Sequence, residues 1–93
     1  MIRHIVFFTV PSDRLDAAEA GLKTLERVPH ADRLEIRRNL NRDLMSNEVD
    51  LVVYGEFADE AALARYKADP LYQSAIDWVR PLREMRIAAD IIS

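Results

Sequence analysis

The chain has 93 residues, enough for one small hydrophobic core and too few for two, so a single domain over residues 1–93 is expected. Apolar residues make up 49% and charged residues 31%, which excludes a disordered or low-complexity chain, and the absence of cysteine excludes disulfides, thiolate nucleophiles and Cys-ligated zinc. With 13 Lys and Arg against 16 Asp and Glu the net charge is -3, so the long-range attraction that dominates nucleic-acid binding is missing.

Residues 2–10 read as a first strand in which side chains alternate between two faces. Ile2, His4, Val6, Phe8 and Val10 share one face, and Ile5 and Phe7 occupy the other. Both faces are apolar, so both need covering: helices of the same chain can take one, and a partner molecule is expected on the other. The apolar run at residues 5–8 is far shorter than the ~20 residues of a membrane span. Nor does this alternating segment have the long apolar stretch and small-residue cleavage site of a secretory leader, so a cytoplasmic location without membrane contact is the expectation.

Pro11-Ser12-Asp13 ends the strand and offers a helix cap, after which Leu15, Ala18, Leu22 and Leu25 recur at spacings of three and four. A helix over about residues 13–27 follows, with Gly21 inside it as a candidate point of close backbone approach. Pro29-His30-Ala31-Asp32 reads as a loop, with His30 on the surface. A second strand over 33–40 alternates Leu34, Ile36, Arg38 and Leu40 with Glu35, Arg37 and Asn39, the pattern of an edge strand. Arg37, Arg38 and Arg42 lie close together, but Glu35 and Asp43 flank them, so this segment reads as solvated rather than as a phosphate site.

Residues 41–48 make a polar connection to a third strand at 49–57, again apolar on both faces. Asp59 can cap a second helix through Leu63, Tyr66 and Lys67, which must stop at Asp69-Pro70 because the residue before proline avoids the α region. Pro70 in turn suits the first position of a new helical segment carrying Leu71, Ala75, Trp78 and Val79. The last strand, 84–92, places Met85, Ile87, Ala89 and Ile91 on one face and Arg86, Ala88, Asp90 and Ile92 on the other.

The order βαββαβ, with its second helix broken at a proline, predicts an α+β, ferredoxin-like fold. Its four-stranded antiparallel sheet runs in spatial order 4-1-3-2 with the helices on one face. Strands one and three then lie at the centre, in agreement with their two-faced apolarity.

Several stretches together resemble the stress-responsive A/B barrel (Dabb) domain family. They are Met1-Ile2-Arg3-His4-Ile5-Val6-Phe7, Arg38-Asn39-Leu40, Tyr54-Gly55-Glu56-Phe57, the segment from Leu63 to Gln73, and Val79-Arg80-Pro81-Leu82. The resemblance implies a dimeric α/β barrel in which two ferredoxin-like subunits pack the open faces of their sheets together. It also implies a pocket like that of the family's cofactor-free plant polyketide cyclases, where a strand-one histidine, a tyrosine on helix two and the second histidine of a His-Pro-x-His motif line the site. By motif position His4 matches the first and Tyr66 the second. Tyr72, in Asp69-Pro70-Leu71-Tyr72, stands at the third, so both histidines of that motif are replaced. A phenol with a pKa near ~10 is a poor general base at neutral pH, whereas an imidazole near ~6.5 is suited to moving protons there.

The candidate ligand-binding residues are therefore His4, Tyr66, Tyr72 and Trp78, with His4 as proton shuttle and Tyr72 as hydrogen-bond donor. The candidate dimer interface is Ile5, Phe7, Val52 and Tyr54. No cofactor is expected, and no metal, because neither histidine has a second ligand at a recognisable short spacing. Ser12 and Ser74 lie outside any nucleophile-elbow motif. The favoured function is binding of a small, partly apolar, phenolic or polyketide-like ligand between sheet and helices. The alternatives are a cyclase-like or monooxygenase-like enzyme using His4, and a structural stress-response protein whose pocket is filled by its own side chains. A cavity beside His4 separates the first two from the third.

Overall fold

The computed structural model describes residues 1–93 as a four-stranded antiparallel sheet with helices on one face. The strands are β1 (Ile2–Thr9), β2 (Arg33–Arg38), β3 (Leu51–Phe57) and β4 (Met85–Ile92), in the spatial order β2-β3-β1-β4. The helices are α1 (Leu15–Lys23), α2 (Glu60–Ala68) and α3 (Pro70–Val79). This is the ferredoxin-like arrangement expected from the alternation, with β1 and β3 at the centre.

Burial follows the period of two. On β1, Ile2, His4, Val6 and Phe8 are buried beneath the helices, while Arg3, Ile5, Phe7 and Thr9 lie on the other face. On β3, Leu51, Val53, Gly55 and Phe57 are buried and Val52, Tyr54 and Glu56 alternate with them. Ala18, Leu22 and Leu25 from the first helical segment, Ala62, Leu63 and Tyr66 from α2, and Ala75 and Val79 from α3 complete the core. Burying each large side chain of this kind contributes about 1.5–3 kcal/mol against the chain entropy of ordering it.

The helix boundaries have local causes. Asp59 accepts a hydrogen bond from the Ala62 N–H at 2.8 Å, and Asp69 accepts one from the Leu71 N–H at 2.9 Å with Pro70 at the first helical position. Each cap contributes about 1 kcal/mol. The first helix differs from the single span expected over 13–27, because its ends tighten into 3-10 turns at Ser12–Arg14 and Thr24–Arg27. At the second of these the Thr24 hydroxyl donates to the Gly21 carbonyl at 2.6 Å, drawing the chain into the tighter turn. β2 and β3 are shorter than expected, since Leu40 is 77% exposed and the chain leaves the sheet after Arg38.

Arg38 closes the β2 edge over α1. Its guanidinium reaches Asp16 at 2.7 Å and Glu19 at 2.8 Å, which holds the Glu19 carboxyl below its usual range. The opposite edge is different. On β4 the side chains facing the helix layer are Arg86, Ala88, Asp90 and Ile92, and the last three remain exposed because the helices lie over the other three strands. That overhang places a cleft and a carboxylate next to the buried side of β1. No helix is long and apolar enough to cross a membrane.

Candidate functional site

The site begins with His4. Antiparallel register sets it between Gly55 of β3 and Asp90 of β4. It is 1% exposed, and its Nδ1 lies 2.5 Å from Asp90 Oδ1, a short hydrogen bond across the strand pair. Asp90 was absent from the residues singled out in the sequence. Its signal was an aspartate within a β-strand, where the residue is disfavoured, on the same face as Arg86.

The other side of His4 is aromatic. Its ring stands edge-on to Phe57 at 6.3 Å and to Tyr66 at 6.2 Å, and Tyr66 in turn packs against Phe57 and Tyr72, each at 5.0 Å between centroids. Gly55 makes this packing possible, since a Cβ there would come within 2.8 Å of the Phe57 ring. The space beside an otherwise polar residue is thus filled by ring edges.

Electrostatics fix the form of the imidazole. Burial pushes the His4 pKa below 6.5, opposed by the hydrogen bond and charge of Asp90 and assisted by the positive charges of Lys67 and Arg86. At neutral pH the ring is therefore uncharged. Donation from Nδ1 to the carboxylate assigns the proton to that nitrogen and leaves Nε2 with its lone pair. Tyr66 is fully buried, and burial, followed by the proximity of Tyr72, raises its phenol well above the usual tyrosine value. It stays a protonated hydroxyl, able to donate a hydrogen bond but not to act as a base.

His4, Tyr66 and Tyr72 line one small cavity together with Val6, Phe8, Leu22, Leu25, Val53, Ile76 and Arg86. Its volume is about 10 Å³, room for a single water. Tyr72, Ile76 and Arg86 also line a wider cleft of about 260 Å³ at the mouth, whose remaining walls are Gln73, Arg80 and Arg83. The space directly beside His4 is narrow, and the volume that could receive a small molecule lies outside it.

Trp78 is placed elsewhere. It packs against α1, where a Cβ on Gly21 would come within 2.8 Å of the indole, and it is 48% exposed. It lines neither cavity. Helix α3 presents Tyr72 and Ile76 to the cleft and Trp78 to α1, a division that helical spacing alone does not reveal.

Ile5, Phe7, Val52 and Tyr54 share the sheet face that no helix covers. Phe7 stands between Val52 and Ile87, and Ile5 between Tyr54 and Ala89. Phe7 is 39% exposed, Ile87 54% and Ile91 46%, so β4 extends the apolar face beyond the four residues picked out in the sequence.

The sheet order, the helix layer on one face and the open second face define a ferredoxin-like α+β protein. The model of the stress responsive A/B barrel domain matches residues 2–93, and the chain belongs to that family. Among solved structures, a Dabb family protein with a ferredoxin-like fold from Mesorhizobium loti is 25% identical, with a TM-score of 0.77 over 99% of this chain and 95% of that one. A dimeric ferredoxin-like protein from Thermobifida fusca is 20% identical, with a TM-score of 0.80 over 97% of this chain and 88% of that one. A candidate antibiotic biosynthesis monooxygenase from Nitrosomonas europaea is 19% identical, with a TM-score of 0.78 over 100% of this chain and 98% of that one. No curated protein matches the chain.

Proposed function

We propose that this protein is a homodimer that binds a small, partly apolar ligand of phenolic or polyketide-like character in the cleft between its helix layer and β4. The observation that carries this reading is the His4–Asp90 pair, a buried imidazole oriented by a carboxylate beside a cavity that shares Tyr72, Ile76 and Arg86 with a larger cleft. Asp90 satisfies Nδ1 and fixes the tautomer, which leaves Nε2 as a free acceptor on a residue that also lines the cavity. A ligand oxygen gains a hydrogen-bonding pair, Nε2 as acceptor and the Tyr66 hydroxyl as donor. The aromatic and aliphatic walls of Tyr72 and Ile76 suit a flat ring at the entrance.

The same pair favours a second reading, a cofactor-free cyclase-like or monooxygenase-like enzyme. In that case Nε2 removes a proton from an acidic carbon or phenol of the substrate, Asp90 stabilises the resulting imidazolium, and Tyr66 hydrogen-bonds the oxygen that gains charge. The His4 pKa below 6.5 keeps the base form available on the acid side of neutrality.

Thermal melts of the wild type and His4→Ala, each with and without a panel of phenols and β-diketones, test the binding reading. The wild type should be stabilised by at least one class of compound, and His4→Ala should lose most of that shift. Equal shifts in both proteins would rule out His4 as a binding group. No shift with any compound would overturn the ligand reading itself.

A further inference from the structure

Three arginines line the cleft, and only Arg86 among them also faces His4. Arg80 follows the end of α3, Arg83 lies in the turn beyond it, and Arg86 is the second residue of β4. All three line the 260 Å³ cleft, and no carboxylate is among its walls, which are otherwise Tyr72, Gln73 and Ile76. None of the three forms a salt bridge. The arginines of β2 contrast with them, since Arg33 lies 2.7 Å from Glu35, Arg38 pairs with Asp16 and Glu19, and Arg37 lies 3.9 Å from Glu35. In a chain of net charge -3, three unpaired guanidinium groups converge on one concavity. Low-dielectric walls focus such a field, and the planar fork of arginine matches the two oxygens of a carboxylate or the face of a phosphate.

We propose that the ligand of this cleft carries an oxyanion group, a carboxylate or a phosphate, held by Arg80, Arg83 and Arg86 at the mouth while its ring lies along Tyr72 and Ile76 toward His4. This rests on the ligand-binding reading of the same cleft and adds the class of ligand it selects. Arg86 joins the two halves of the site because it lines both the cleft and the cavity containing His4. A neutral ligand would leave the mutual repulsion of the three guanidinium groups uncompensated as water is displaced. An anion relieves it.

Calorimetric titration of the full chain with 2,4-dihydroxybenzoate, its neutral amide and inorganic phosphate tests this, repeated on Arg80→Gln/Arg83→Gln. Those side chains lie at the cleft surface and form no salt bridge, and circular dichroism checks that the variant is folded. The acid should bind roughly tenfold or more tightly than the amide to the wild type, the scale of one or two charge-assisted hydrogen bonds, and the variant should lose most of that preference. Phosphate competing with the acid in the wild type, and failing to bind the variant, supports an oxyanion site filled by a phosphorylated ligand. Acid and amide binding the wild type equally overturns the inference and leaves the ligand reading standing. Phosphate binding that is lost in the variant, with neither aromatic compound bound, supports the anion site and overturns the phenolic reading. A preference for the acid that survives in the variant removes the arginines from the account.

Discussion

At the scale of single residues the central feature is a titratable ring placed where a hydrocarbon would ordinarily sit. His4 could be read from the sequence because an imidazole on the buried face of an apolar strand is conspicuous. Its partner could not, because alternation places Asp90 on a face of β4 without saying which residue of β1 lies opposite. Register supplied that, pairing His4 with Asp90. The pairing has a consequence for stability. Because burial lowers the folded-state pKa of His4 below 6.5, the unfolded chain takes up the proton first. Stability from this group is thus complete above about pH 6.5 and declines as pH falls toward the depressed folded value. Asp90→Asn leaves an amide oxygen that can still accept from the Nδ1–H but removes the negative charge that favours the imidazolium, so the folded value drops further and the decline extends to lower pH. Urea midpoints between pH 8 and pH 5 should fall with acidity in both proteins, and further in the variant. A variant whose midpoint changes less than that of the wild type over this range would contradict the assigned roles of burial and Asp90.

The elements themselves were largely visible beforehand, and the residues that made them visible are those with strong local preferences. Asp59, Asp69 and Pro70 specify the caps and the break between α2 and α3 through their own backbone chemistry. The 3-10 ends of the first helix were not visible, because apolar spacing does not say how tightly a terminal turn is wound. Nor was the face to which Trp78 belongs, since α3 packs on two neighbours and its spacing fits either. Gly21 and Trp78 now account for each other: the missing Cβ is the seat of the indole. Gly21→Ala should gain up to about 1 kcal/mol in helix propensity and lose about 1–3 kcal/mol by displacing the ring, for a net destabilisation of about 1 kcal/mol. As Trp78 is the only tryptophan, its fluorescence reports the displacement directly. A variant more stable than the wild type, with unchanged emission, would show that the contact does not constrain the helix pair.

For the whole molecule, the helix layer covers three strands and the second face of the sheet is left apolar. The open face carries Ile5, Phe7, Val52, Tyr54, Ile87 and Ile91 side by side with no helix over them, and a two-fold partner presenting the same face would cover them. Phe7 sits at the centre of that face, so Phe7→Glu should give a monomer or an aggregate in sedimentation. A well-folded dimer that persists with this change would place the interface elsewhere. The uncovered apolar face could be anticipated from β1 and β3 because both strands are apolar on both sides. The cleft on the other side could not, because it depends on how far the helices reach across β4. Arg86, which lines both the cleft and the small cavity containing His4, brings the two together, and that is a property of the packed molecule. The measurement that tests the central claim most directly is ¹⁵N NMR of the two histidine rings, followed through a titration with a phenolic ligand. The account predicts that His4 is neutral at pH 7 with its proton on Nδ1, and that its Nε2 resonance moves as ligand binds while that of His30 does not. A proton on Nε2, or an His4 ring that fails to respond while the ligand binds, would contradict it.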